Sequence, residues 1–428
     1  MVFPARQSLL FAALYFCEGA PIGFLWWALP AYWKSAGLAV DRIATITAVL
    51  VLPWSLKWLW APLVDWSASH WPYRRWIIAA QGTMGLALLA LPGLDPQHDF
   101  WWLIAVLLGH ALAAATQDVS IDALCISMVG SERRGSVNGW MQAGMLLGRA
   151  LFGGGALLLI AYTSLATMVA LLVTMLWSVA SILALWPTRR YNSVERICTP
   201  ATSATATVNG TTRWADLLRD RRIWLGLAFA LLAGTAFESV GALLGPFLIE
   251  AGMTLEGVGA FQLGPLAGAL ALGALLGGRV ADRFGHLRMA RYSLLAMIAA
   301  NVVLGAVHLY AAPERHASRL AVVVAQYTIV GVFTASSYAL FMDLVAARWK
   351  ATMFSAFMGA TNACEAGSAY VAGKLAVNYG YGPTFIIMVV PSLLGFAVLT
   401  WLERGGRTIE ASTTPASDGS VSRKQTDS

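Results

Sequence analysis

The stretch GGRVADRFGHLR, residues 277–288, closes one long apolar run with an acidic residue, Asp282, and follows it with the basic residues Arg283 and Arg288 before the next apolar run begins. PLVDWSASHWPYRR, residues 62–75, has the same plan, with Asp65 at the end of its run and Arg74 and Arg75 after it. Two loops of one design in two halves of a chain indicate an internal repeat. Apolar runs of about 20 residues, the length of a helix across a bilayer core, surround both loops. They lie near 8–33, 43–64, 75–93, 101–129, 138–161 and 164–187, then near 223–249, 257–281, 290–311, 318–346, 353–378 and 382–402. That is six spans followed by six.

Composition agrees. Of 428 residues, 58% are apolar and 12% charged, against roughly 45–50% and 25% in soluble domains. Twelve helices of about 21 residues would use about 250 positions, leaving little chain for anything else. Forty glycines and 18 tryptophans fit close helix packing in lipid and anchoring at headgroup depth. The net charge of +7 would suggest nucleic acid in a soluble protein, but here the basic residues flank spans. No nucleic-acid partner is expected. Cys17, Cys125 and Cys364 fall within spans and Cys198 in a polar loop, which gives neither a metal spacing nor a disulfide framework.

The pattern predicts an all-α polytopic membrane protein with two pseudo-symmetric six-helix bundles at 1–187 and 223–402. A polar linker at 188–222, with the low-complexity centre ATSATATVNGTT, would join them, and a disordered tail would occupy 403–428. Placing both termini in the cytoplasm leaves Lys34, Arg42, Arg315 and Arg319 as the only basic residues in outer loops. The positive-inside rule favours that orientation. A pseudo-symmetric pair of bundles is suited to opening alternately to either side of a site at mid-depth.

Residues 278–288 resemble the loop motif of the major facilitator superfamily. The resemblance implies that Asp282 and Arg283 latch one conformation, with Asp65 in a looser first-half version. LYFCEGAPIGF (14–24), PWSLKWLWAPLVD (53–65), ATQDVSIDAL (115–124) and ERRGSVNG (132–139) resemble the AmpG-type muropeptide permeases and the related acetyl-coenzyme A transporter family, with a weaker echo at KATMFSAF (350–357). NGWMQAGMLLGRALFGGG (138–155) is similar to the siderophore-uptake members of the same branch. The resemblance implies a proton-driven importer of a bulky, partly polar solute in the bacterial inner membrane. A muropeptide is the first expectation and a siderophore the second. A transporter-like receptor that binds without carrying is the remaining alternative.

Charges within spans are expensive, about 2.5–3.5 kcal/mol each at the bilayer centre on insertion scales, so their positions carry information. They are Glu18, Lys57, Asp118, Asp122, Arg149, Glu238, Arg279, Asp343, Glu365 and Lys374, none of them deep in spans 3, 6, 9 or 12. In the superfamily those four face lipid. Lys57, Asp122, Arg279 and Asp343 lie toward the cytoplasmic ends and are expected to form gating pairs, Lys57 with Asp122 and Arg279 with Asp343. Glu18, Asp118, Glu238 and Glu365 lie near mid-span. They are expected to surround one aqueous vestibule and to carry protons, because burial raises and a nearby cation lowers a carboxylate's proton affinity. Glu18 has a competing structural role beside a helix break at Gly19-Ala20-Pro21. Arg149, with its fork of donors, either neutralises an acid or receives an anionic group of the solute. Asn362 and Gln117 are further solute-binding candidates, and Trp27 a stacking surface. His110 is a relay candidate, although a packing histidine is the plainer reading. No phosphate-binding loop, H-E-x-x-H pattern or serine elbow occurs. The expectation is a monomer that is not an enzyme and has no cofactor or metal, with a small-molecule solute, protons and the lipid bilayer as its partners.

Overall fold

The computed structural model describes residues 4–35, 38, 40–185, 219–253, 255–310, 316–345 and 349–413. The linker expected at 188–222 lies outside the described residues except for its last four positions, and the tail does so beyond 413.

Twelve helical passes follow one another among the described residues. They are α1 (Pro4–Gly23, a π turn at Phe24–Ala28, then Leu29–Ser35), α2 (Val40–Leu56, a 3-10 turn at Lys57–Leu59, then Ala61–Ser67), α3 (Tyr73–Ala90), α4 (Phe100–Met128), α5 (Arg134–Phe152 and Gly154–Tyr162) and α6 (Leu165–Leu185). The second half comprises α7 (Arg221–Leu232 and Thr235–Glu250), α8 (Leu255–Phe261, a π turn at Gln262–Leu266, then Ala267–Phe284), α9 (His286–Tyr310), α10 (His316–Leu344), α11 (Lys350–Tyr379) and α12 (Tyr381–Ile387 and Val389–Thr413). The last helix runs past 402, so the segment expected to be disordered begins as helix.

Among the described residues, nine passes, namely α1, α3, α4, α6, α7, α8, α9, α10 and α12, hold a helix long and apolar enough to cross a membrane. The other three passes, α2, α5 and α11, carry Lys57, Arg149, Glu365 and Lys374. Helices that face water or protein tolerate such polarity, whereas helices that face lipid do not. The break expected at Gly19-Ala20-Pro21 is absent. The α-helix continues through Pro21, and the ladder disturbed by the missing proline N–H reorganises one turn later as the π turn at Phe24–Ala28.

The cores show how the halves meet. One buried cluster joins Leu10, Phe11 and Leu14 of the first half with Phe229, Phe341 and Phe357 of the second. Two others stay within single halves, one around Phe24, Leu29 and Leu172 and one around Leu244, Phe247 and Phe385. The halves therefore fuse at the face bearing the α2–α3, α4–α5, α8–α9 and α10–α11 loops, the basic face, and separate toward the opposite face.

Two carboxylates pin the fused face. Asp282, at the end of α8, accepts from the backbone N–H of Gly135 (2.7 Å) and Ser136 (2.8 Å), and from the Ser136 hydroxyl, at the start of α5. Asp65, at the end of the α2 pass, accepts from Ala351 N–H (3.0 Å), Thr352 N–H (2.8 Å) and Thr352 Oγ1 (2.7 Å) at the start of α11. In each case an acid from one half satisfies the unpaired N–H groups that begin a helix of the other, where the helix dipole also favours negative charge. Beside the first contact, α5 and α8 cross so closely that a Cβ on Gly278 or Gly135 would overlap the other helix's backbone.

Candidate functional site

A cavity of about 460 Å³ lies between the halves, lined by Ile22, Trp26 and Trp27 of α1, Val51, Trp54 and Ser55 of α2, Arg149 of α5, and Asn362, Glu365, Ala366 and Ala369 of α11. The π turn of α1 supplies Trp26 and Trp27 to this wall. Trp26 packs edge-to-face on Trp54, with centroids 5.4 Å apart. The break in α5 at Gly153 makes room for the other indole, since a Cβ there would lie 2.6 Å from Cε3 of Trp27. The first half thus offers a cation and an aromatic wall, and the second an acid and an amide. Arg149 is electrostatically close to Glu18 on its own half and to Glu365 across the cavity.

A second, smaller cavity of about 50 Å³ lies within the second half. Glu238 shares it with Phe229, Phe237, Phe333, Phe341, Tyr338, Ser337, Thr361 and Cys364. Cys364 precedes Glu365, and the two acids are electrostatic neighbours. One carboxylate therefore faces the large cavity while the other faces an aromatic chamber beside it.

The first half encloses a third group of charges. Glu18, Lys57, Asp118 and Asp122 are all buried. Lys57 donates to Asp118, and Tyr15 donates its phenol proton to Asp122 at 2.5 Å. Oε2 of Glu18 and Nε of Arg149 are buried without a hydrogen-bond partner. Three carboxylates around one ammonium is an arrangement that low dielectric penalises unless protons or a cation balance it.

The family model for the Major Facilitator Superfamily matches residues 11–366. The chain belongs to the major facilitator superfamily. Among curated relatives, the anhydromuropeptide permease of Escherichia coli K12 is 26% identical over 416 residues, covering 93% of this chain and 80% of that protein. A Rickettsia conorii protein carrying the provisional name transporter AmpG 4 is 25% identical over 410 residues, 90% of this chain and 94% of its own. Among solved structures, the Escherichia coli fucose:proton symporter superposes with a TM-score of 0.71 at 12% identity, covering 92% of this chain and 98% of that one. A bacterial homologue of the iron transporter ferroportin, in an outward-facing state, gives 0.68 at 16% identity, covering 93% and 98%.

Within this superfamily fold, Arg149, Asn362, Trp27 and Glu365 share the central cavity. Gln117 does not line it. It is fully buried, because α4 turns that side chain into the bundle. Glu18, Asp118, Glu238 and Glu365, expected to surround one vestibule, are not gathered in either cavity among the described residues: Glu365 lines the larger, Glu238 the smaller, and Glu18 and Asp118 are buried in the first half. The broad helix contacts of the fused core divide these acids into a buried first-half cluster, an aromatic chamber and the open cavity.

Both expected clasps change partners. Lys57 meets Asp118 rather than Asp122, because Tyr15 of α1 fills the position beside Asp122. Asp343 pairs with Arg134 (2.8 Å) and His286 (2.6 Å), while exposed Arg279 donates to the carbonyl of Leu275 one turn back on its own helix (3.2 Å). Arg283 is exposed and lies over the Phe284 ring, with its guanidinium carbon 5.7 Å from the centroid, so Asp282 latches through helix N–H groups instead. His110 is buried between α3 and α4, its Nδ1 3.2 Å from the Met84 carbonyl, a packing position outside both cavities. Sequence reasoning missed Tyr15, Arg134 and His286. A signal existed for Arg134, since Arg134-Gly135-Ser136 and Lys350-Ala351-Thr352 repeat a basic, small, hydroxyl pattern at the starts of α5 and α11.

Proposed function

We propose that this transporter is a proton-coupled permease of the bacterial inner membrane that imports an anhydromuropeptide-like solute, with both ends of the chain in the cytoplasm. The cavity chemistry carries this reading. Its indole faces suit the C–H faces of a sugar ring, Arg149 suits a carboxylate, and Glu365 with Asn362 suits hydroxyl and amide donors. The likeness to the E. coli anhydromuropeptide permease along 93% of the chain supports the same solute class. Glu238 is the proposed proton carrier of the second half, because an acid in an aromatic chamber beside a solvated acid holds a proton more or less tightly as water access changes. The Glu18, Asp118 and Asp122 cluster is the first-half counterpart.

Uptake of N-acetylglucosaminyl-anhydro-N-acetylmuramic acid into proteoliposomes under an imposed pH gradient tests the reading. Solute-dependent proton entry is expected. Tight binding without flux would support the receptor alternative, and uptake indifferent to the gradient would remove proton coupling. In the same vesicles, Glu238→Gln is expected to lower gradient-driven accumulation by at least about tenfold, the equivalent of 1.4 kcal/mol, while solute counterflow continues. Normal accumulation by this variant would exclude Glu238 as the carrier. Arg149→Gln is expected to weaken solute binding by about tenfold to a hundredfold, the range for losing a hydrogen bond to a charged group. Equilibrium binding to purified protein measures it.

A further inference from the structure

The two latches on the basic face follow one plan but differ chemically. In one, Asp65 is steadied by the Tyr73 hydroxyl at the start of α3 (3.0 Å), and Lys350 at the start of α11 donates to the hydroxyl of Ser127 on α4 (3.0 Å). In the other, Asp282 is steadied by His286 at the start of α9, and Arg134 at the start of α5 donates to Asp343 on α10. A phenol in the first latch thus corresponds to an imidazole in the second, and a serine to a carboxylate.

His286 joins both carboxylates of its latch. Its Nδ1 lies 2.6 Å from Asp343 and its Nε2 3.1 Å from Asp282. A carboxylate only accepts, and a neutral imidazole donates from one nitrogen alone, so both contacts are hydrogen bonds only when the ring is an imidazolium. Both acids also grip the other half, Asp282 through Gly135 and Ser136 and Asp343 through Arg134. We infer that His286 is a positioning residue of the transport cycle, whose proton holds the α5–α8 latch closed and whose loss releases the basic face.

Charge balance gives the direction. Side-chain exposure is 6% for His286, 11% for Asp282, 15% for Arg134 and 30% for Asp343. With the proton, two anions meet two cations in this shielded space. Without it, one negative charge is left over, at a cost that falls when the face opens to water. The proton therefore binds more tightly to the latched form, and raising the pH favours the open one. Around α9, α8 contributes Asp282, α10 contributes Asp343, and α12 contributes Glu403, which pairs with Arg291 at 2.6 Å. The Asp65 latch has a phenol, Tyr73, in the place of this imidazole. The inference needs only that the fold opens on two sides, and is independent of the solute and of proton coupling.

The test reads the gap across the latch. Spin labels are placed on the exposed positions Glu132→Cys and Phe284→Cys in a Cys198→Ser background, and distances are measured by double electron–electron resonance in nanodiscs from about pH 6 to about pH 10, spanning the ordinary imidazole value of about 6.5. A long-distance population that grows several-fold with pH is expected. His286→Lys, a permanent cation at the same place, should keep the short distance throughout that range, and His286→Asn should show the long distance at every pH. Distances in the labelled His286 protein that do not change with pH would overturn the inference. So would a rise in His286→Lys equal to that with His286 in place, because the sensor would then lie elsewhere.

Discussion

Gly278→Leu is expected to abolish solute uptake while leaving the protein folded and able to bind solute. The substitution acts on one conformation. When the basic face is closed, a side chain at 278 has no space between α8 and the Gly135 backbone of α5. When the face is open, the helices part and the leucine meets water or lipid. Overpacking costs about 1–3 kcal/mol, which falls on the closed form alone and shifts the balance toward the open one by about tenfold to a hundredfold. Vesicle uptake measures the loss, and the Glu132–Phe284 label distance measures the shift. Gly278→Ala should give an intermediate result. Native uptake by the leucine variant would show that α5 and α8 need not approach so closely at any stage of transport.

Lys57→Met should have the largest effect on stability. Lys57 and Asp118 are 3% and 6% exposed as side chains, so removing the ammonium leaves Asp118 buried with Glu18 and Asp122 and no cation of comparable contact. Breaking a buried pair from one side costs about 3–5 kcal/mol, which would appear as a marked fall in the thermal unfolding midpoint in detergent. The double variant Lys57→Met with Asp118→Leu should recover most of that loss, because an apolar pair of similar volume leaves no charge behind. If the double variant is as unstable as the single, the lysine is needed by Glu18 or Asp122 and the pair is not the unit.

The sequence was most informative where the bilayer constrains it. Hydrocarbon forces every span to be long and apolar, and it confines charge to helices with water or protein beside them. The passes and the depth of Arg149, Asn362 and Glu365 were therefore legible. Contacts between helices were less so. Asp118 and Asp122 are one turn apart on the same face of α4, and depth alone does not choose between them for Lys57. The choice is made by the 3-10 turn that presents Lys57 and by Tyr15, a side chain from a third helix. His286 was hidden for a related reason. It stands in a loop motif full of basic residues, and only the approach of Asp343 from α10 distinguishes it from its neighbours. The chamber around Glu238 is built from aromatic residues that any apolar span would contain, so nothing in the pattern marks it.

The charges carried by α2, α5 and α11 also bear on how the chain enters the membrane. Arg149 on α5 and Glu365 on α11 are costly in lipid, but each of these passes packs against a helix synthesised earlier, α5 on α1 and α11 on α7. Each can thus leave the insertion machinery beside a partner already in place. The second pass has no such predecessor for its charge, because the carboxylate that meets Lys57 belongs to α4, two helices later. During biosynthesis this lysine must wait at the translocon or near the headgroups until α4 emerges, so the order of synthesis and the order of stable insertion differ in the first half of the chain.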